Sequence, residues 1–130
     1  IAKAEGLKPI GELVSFAKAG LAPEIMGFAP ALAIPRALEK AGLSLADIDW
    51  IELNEAFAAQ ALAVIRDQDL DMDKTNPLGG AIALGHPVGA TGSILTLRTL
   101  YNLRRTNTEF GMVTMCIGGG QGVAAVFRAL

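Results

Sequence analysis

The sequence predicts an α/β domain in which a mixed β-sheet is layered with α-helices. Three observations carry that prediction. Segments with apolar residues at helical spacing alternate with short, partly β-branched apolar runs. Glycine and proline punctuate the boundaries between them. The chain closes on two apolar runs, residues 110–117 and 122–127, separated by Gly118-Gly119-Gly120-Gln121, which reads as a hairpin lying centrally in the sheet.

Taken in order, residues 7–21 mix alternation with a central apolar run and predict a strand entered through Pro9. Pro30 and Pro35 bracket the start of a first helix, carried by Leu32, Ala33, Leu38 and Ala41 and stopped by Gly42. Pro35 is expected in its first turn, the only part of a helix where proline leaves the hydrogen-bond ladder intact. Residues 49–53 alternate and form a short strand. Asn54 and Glu55 stand at the junction to a second helix through Ala56, Ala59, Leu62, Ala63 and Arg66. Asp67, Asp69, Asp71 and Asp73 read as a solvated turn, because a calcium loop would also need its glycine and terminal glutamate. A third helix is expected over residues 87–103, with Pro87 in its first position and Arg104 and Arg105 complementing the dipole at its end.

The 130 residues suit one domain, 1–130, and the net charge of −2 gives no electrostatic footprint for nucleic acid. At 52% hydrophobic and 18% charged, the chain is oily enough that part of its apolar surface is expected to face another piece of protein. Residues 75–97 carry no formal charge, but five glycines with Pro77 and Pro87 rule out a continuous apolar spanning helix. One cysteine excludes an internal disulfide, and one histidine beside it cannot furnish a zinc site. Ile1 is followed by no basic and apolar leader, so the expectation is a cytoplasmic protein whose natural start lies elsewhere.

Nine of the fifteen glycines fall in two windows, 79–92 and 118–122, and the only histidine and only cysteine stand in or beside them. Such clusters suggest loops closing tightly around something small. His86 precedes a helix start, where it would serve as a neutral base or simply cap the helix. Cys116 ends an apolar strand at the lip of a glycine turn, as a working thiol or as an inert small hydrophobe. Asn54 is equally a polar donor or a helix N-cap. The glycine windows fit neither the P-loop nor the dinucleotide fingerprint. With all three junctions at strand or loop ends, His86, Cys116 and Asn54 would converge on one edge of the sheet, a set suited to acyl transfer or carbon–carbon bond chemistry.

Three segments, Asn54-Glu55-Ala56-Phe57-Ala58, the run from Gly79 through Gly85-His86-Pro87, and Cys116-Ile117-Gly118-Gly119-Gly120, resemble in order the three C-terminal motifs of the thiolases. Pro23-Glu24-Ile25-Met26-Gly27 resembles the family too, so the likeness covers nearly the whole chain but only the C-terminal part of a thiolase. The resemblance implies a thiolase C-terminal half that packs on a similar N-terminal half, in a subunit that assembles as a dimer or tetramer. It implies cleavage of a 3-ketoacyl-CoA by coenzyme A, or the reverse Claisen condensation, through an acyl-cysteine. Coenzyme A would be a substrate, with no separate cofactor or metal. The nucleophilic cysteine and most contacts to coenzyme A would belong to the N-terminal half, so the isolated chain would be inactive.

By the same resemblance, His86 would activate that nucleophile and donate to the thioester oxyanion, and Cys116 would be the second, acid/base cysteine. Asn54 would hold a water that completes one oxyanion hole with His86, while the Gly118 N–H would contribute to another. Met26 and Phe57 would line the acyl pocket. Glu55 would be structural, its carboxylate capping the helix that follows it. Asn76-Pro77-Leu78-Gly79-Gly80 and Ala33-Ile34-Pro35 look more like the degradative, β-oxidation members than the short-chain biosynthetic ones. Two other readings stand beside this one: a self-contained hydrolase with Cys116 as nucleophile, and a thiolase-derived binding module.

Overall fold

The computed structural model describes residues 1–130. Strand β1 (Gly11–Gly20) leads through a 3₁₀ turn (Pro23–Phe28) into helix α1 (Ala29–Ala41), and a second 3₁₀ turn (Leu45–Asp47) precedes β2 (Trp50–Leu53). Helices α2 (Ala58–Gln68), α3 (Ala81–Leu84) and α4 (Thr91–Thr106) then carry the chain to the hairpin of β3 (Phe110–Gly118) and β4 (Gln121–Ala129). The four strands form one sheet in the order β1-β4-β3-β2. β4 is antiparallel to both neighbours and β2 is parallel to β3, so the sheet is mixed and the hairpin central, as the sequence predicts. Lys74 and Asn76 continue the ladder beyond β2, the Ile51 N–H donating to Lys74 O and the Asn76 N–H to Ile51 O.

The alternation of β1 turns Ser15, Ala17 and Ala19 inward onto α1, whose buried side is mostly alanine with Ile34 and Leu38. Small residues let helix and sheet approach closely. The core of 16 buried residues joins these to Ile51, Leu53, Met112, Ala124 and Val126 of the sheet and to Ala61 and Val64 of α2. On the sheet's other side, α4 lies against glycines: a Cβ on Gly11 would collide with Leu100, and one on Gly111 with Thr99.

β1 begins at Gly11, past Pro9 and four residues later than the expected 7–21, and three helix starts also differ from the expectations. α1 begins at Ala29, which puts Pro35 in its second turn and not its first. Losing a ladder bond inside a helix costs about 3 kcal/mol. Burying Ile34 and Leu38 contributes roughly 1.5–3 kcal/mol each and offsets that loss. α2 begins at Ala58, so Asn54 does not cap it. Pro87 is not the first residue of α4 but starts a preceding turn, its carbonyl accepting from the Ala90 and Thr91 N–H groups. Gly42, at φ 68°, ends α1 as expected, and Asp67, Asp69, Asp71 and Asp73 are all exposed.

Part of the apolar surplus lies on the surface. Leu13 and Phe16 of β1 are exposed, as are Ile94, Leu97 and Tyr101 on one side of α4. No helix is long and apolar enough to cross a membrane.

Candidate active site

β2 and β3 run parallel, so their C-terminal ends lie side by side, with Leu53 in register with Thr114. The chain leaves β2 at Asn54, whose N–H donates to Thr114 O at 2.9 Å. Two residues beyond Thr114, β3 reaches Cys116. There the ladder with β4 shifts register: Cys116 pairs with Gly122 and Gly118 with Gln121, leaving Ile117 without a partner. A bulge at this point bends the strand and re-aims its last side chains, an arrangement common beside active sites.

A cavity of about 440 Å³ opens at this end of the sheet, lined by Met26, Ala56, Phe57, His86, Val88, Met115, Cys116, Ile117 and Gly118. Five of the six site residues named from the sequence line it together: Met26, Phe57, His86, Cys116 and Gly118. The sixth, Asn54, is buried and reaches them through His86, its Nδ2 lying 3.4 Å from His86 Nε2. Its Oδ1 is buried without a hydrogen-bond partner. On the other side of the ring, His86 Nδ1 lies 2.7 Å from Thr91 Oγ1. Neither His86 nor Asn54 is spent as a helix cap: α4 has no side-chain cap, and α2 starts four residues after Asn54.

Burial pushes the Cys116 thiol above its ordinary pKa, opposed in part by a backbone hydrogen bond. The resting side chain is therefore an uncharged thiol able to give up a proton, and a poor unaided nucleophile.

Glu55 corrects an expectation. Its carboxylate does not cap α2; Oε2 accepts from the Ile82 N–H at 3.0 Å, in the first turn of α3, and Oε1 accepts from Asn76 Nδ2 at 3.0 Å. Asn76 also acts as a strand partner to Leu53, donating to its carbonyl at 2.8 Å and accepting from its N–H at 2.9 Å. Further back, Glu52 is fully buried on β2 and accepts from Trp50 Nε1 at 2.8 Å. Arg98 of α4 stands 3.5 Å from the same carboxylate and donates to Gly79 O at 2.8 Å. The loop that delivers His86 is thus fastened to β2 and to α4.

Some of the glycine signal proves to be packing. A Cβ on Gly80 would strike the Glu55 carboxylate, and one on Gly120 would strike the Leu21 carbonyl. Only part of the two windows faces the cavity.

A family model described as "Thiolase, C-terminal domain" matches residues 7–129. The chain belongs to the thiolase family. It is 57% identical over 127 residues to the 3-ketoacyl-CoA thiolase of Bacillus subtilis, a match covering 98% of this chain and 32% of that protein. It is 53% identical over 123 residues to the acetyl-CoA acetyltransferase of Allochromatium vinosum, covering 95% and 31%. The crystal structure of human mitochondrial 3-ketoacyl-CoA thiolase in complex with CoA superposes with a TM-score of 0.97 at 48% identity, covering 99% of this chain and 33% of that one. This thiolase chain therefore spans about a third of the length of the relatives it matches.

Sequence reasoning passed over Thr91, Val88 and Met115. Met115 and Val88 flank residues it did name. Thr91 carried one usable signal, a hydroxyl five residues after the histidine, but inside a helical pattern such a residue looks ordinary.

Proposed function

We propose that the protein carrying this chain is an acyltransferase that cleaves a 3-ketoacyl-CoA with coenzyme A into acetyl-CoA and an acyl-CoA shortened by that unit, or runs the reverse condensation. The supporting observation is the gathering of His86, Cys116, Gly118, Met26 and Phe57 around one cavity in a chain of this family. In the forward direction, a cysteine thiolate of the N-terminal half attacks the 3-keto carbon. The C2–C3 bond breaks, the acyl group stays on sulfur, and the electron pair departs as the enolate of acetyl-CoA.

His86 takes the nucleophile's proton and, keeping it, donates a hydrogen bond to the enolate oxygen, sharing that task with a water held by Asn54. The Cys116 thiol protonates the enolate carbon, and its thiolate then accepts the proton of the incoming coenzyme A thiol. The coenzyme A thiolate so formed attacks the acyl-cysteine, the acyl group leaves on coenzyme A, and the freed cysteine thiolate can take back the proton held by His86. The Gly118 N–H stabilises the oxyanion of this second step, and Met26 and Phe57 receive the acyl chain. An uncharged resting Cys116 suits a proton donor better than the nucleophile of a self-contained hydrolase.

The exposed apolar residues of β1 and α4 would be covered by the N-terminal half and by further subunits of a homo-oligomer. The degradative direction and a cytoplasmic location belong to the same proposal. The test is thiolysis by the full-length protein, following acetyl-CoA release over a series of 3-ketoacyl chain lengths. Wild type should form acetyl-CoA, with activity extending to longer chains. His86→Ala should be about 10²–10⁴-fold slower, the usual contribution of a general base. No acetyl-CoA from wild type, with thioester binding retained, would replace the enzyme with the binding-module reading.

A further inference from the structure

We infer that Thr91 is a positioning residue that holds His86 in the tautomer protonated on Nδ1, leaving the lone pair on Nε2. The inference rests on the reading of His86 as the base of the proposed reaction.

Thr91 Oγ1 is buried between two partners, Pro87 O at 3.0 Å and His86 Nδ1 at 2.7 Å. A hydroxyl has one proton. The Pro87 carbonyl can only accept, so the hydroxyl donates there, four residues back along the chain, and its oxygen is left to accept. The contact with His86 is then satisfied only if Nδ1 carries the ring proton. The Pro87 carbonyl also accepts from the Ala90 and Thr91 N–H groups, so the reverse assignment, Thr91 donating to an unprotonated Nδ1, would not orphan it but would leave two oxygens 3.0 Å apart with no proton between them.

The far side of the ring agrees. With Nδ1 protonated and the ring neutral, Nε2 is an acceptor, matching the Asn54 Nδ2 donor 3.4 Å away. The opposite tautomer would require the Asn54 amide to turn over and present Oδ1. That would move its NH₂ to the buried position where Oδ1 now has no partner. An unsatisfied carbonyl is tolerated more readily than an unsatisfied N–H donor, so the observed orientation is the cheaper one. Thr91 and Asn54 thus select the same tautomer from opposite edges of the ring.

The experiment is ¹⁵N NMR of the full-length protein labelled at histidine, read on the neutral ring, with the His86 signals identified by their loss in His86→Asn. Wild type should show a protonated Nδ1 and a pyridine-like Nε2. Thr91→Val, which keeps the shape without the hydroxyl, should mix the tautomers and lower kcat about 10–100-fold, by analogy with the loss of partners that orient metal-bound histidines. KM should stay within about twofold. Thr91→Ser should restore both the spectrum and the rate.

A wild-type spectrum with Nε2 protonated would overturn the inference whether or not any variant folds, as would an unchanged tautomer in Thr91→Val. Because the spectrum needs no turnover, an Nδ1-protonated His86 in a protein without thiolysis would sink the proposed function and leave this inference standing.

Discussion

Glu55 accepts a hydrogen bond at 3.0 Å from the backbone N–H of Ile82, 27 residues further along the chain. With its second bond to Asn76, it ties the β2–α2 loop to the segment that ends in His86. Glu55→Ala should cost about 1.5–3 kcal/mol, as expected for hydrogen bonds to a charged group. It should also speed amide hydrogen exchange in residues 76–86. Unchanged exchange there would show that the loop does not depend on this carboxylate.

Gly120 is required by two independent constraints. Its φ is 81°, and a Cβ would run into the carbonyl of Leu21, the residue whose N–H donates to Gly120 O at 2.8 Å and so anchors the chain after β1. Gly120→Ala should therefore lower stability by about 1–3 kcal/mol from backbone strain, with the collision adding to it. Gly42→Ala offers the comparison: its φ is 68°, but nothing lies within 4 Å of the added Cβ. Denaturant midpoints of the two variants should differ, with Gly120→Ala the lower. Equal midpoints would remove the steric part of the argument.

Much of this architecture was legible in the chain. The hairpin around Gly118 to Gln121, the alternation near Trp50 and the stop at Gly42 each announce themselves locally, and the sheet follows from their order. The boundaries that shifted lacked a local signal. Pro87 suits the first position of a helix and the start of a tight turn equally well, so the four residues before Thr91 could be read either way. α3 is too short to show a period. Pro35 sits where local rules resist it, because burial of Ile34 and Leu38 decides the matter. Glu55 was legible as a structural residue, but its partners lie 21 and 27 positions away, and only the folded chain brings them together.

The Cys116 thiol carries a pH prediction with a definite sign. Its folded-state pKa is raised by burial, so above the ordinary thiol value, about 8.5, the unfolded chain ionises first. The contribution of the protonated thiol is full below that pH and is lost as pH rises through the folded value. Relative to Cys116→Ser, which does not titrate there, wild-type stability should be level up to about pH 8 and then fall. Alkylation of Cys116, followed by mass spectrometry of its peptide, should be slow at neutral pH and climb only above the ordinary thiol range. Rapid alkylation at pH 7 would mean that the site lowers the pKa and would revive Cys116 as a nucleophile.

The most direct test of the central claim, that Cys116 moves protons while another cysteine carries the acyl group, is a single-turnover measurement on full-length Cys116→Ala mixed with a 3-ketoacyl-CoA. Intact-mass and peptide analysis should find the acyl group on the cysteine of the N-terminal half, while steady-state thiolysis falls by about 10²-fold or more, as for loss of a general acid/base. Thiolysis by Cys116→Ala at the wild-type rate, or an acyl group found on Cys116 itself in the wild type, would contradict the account.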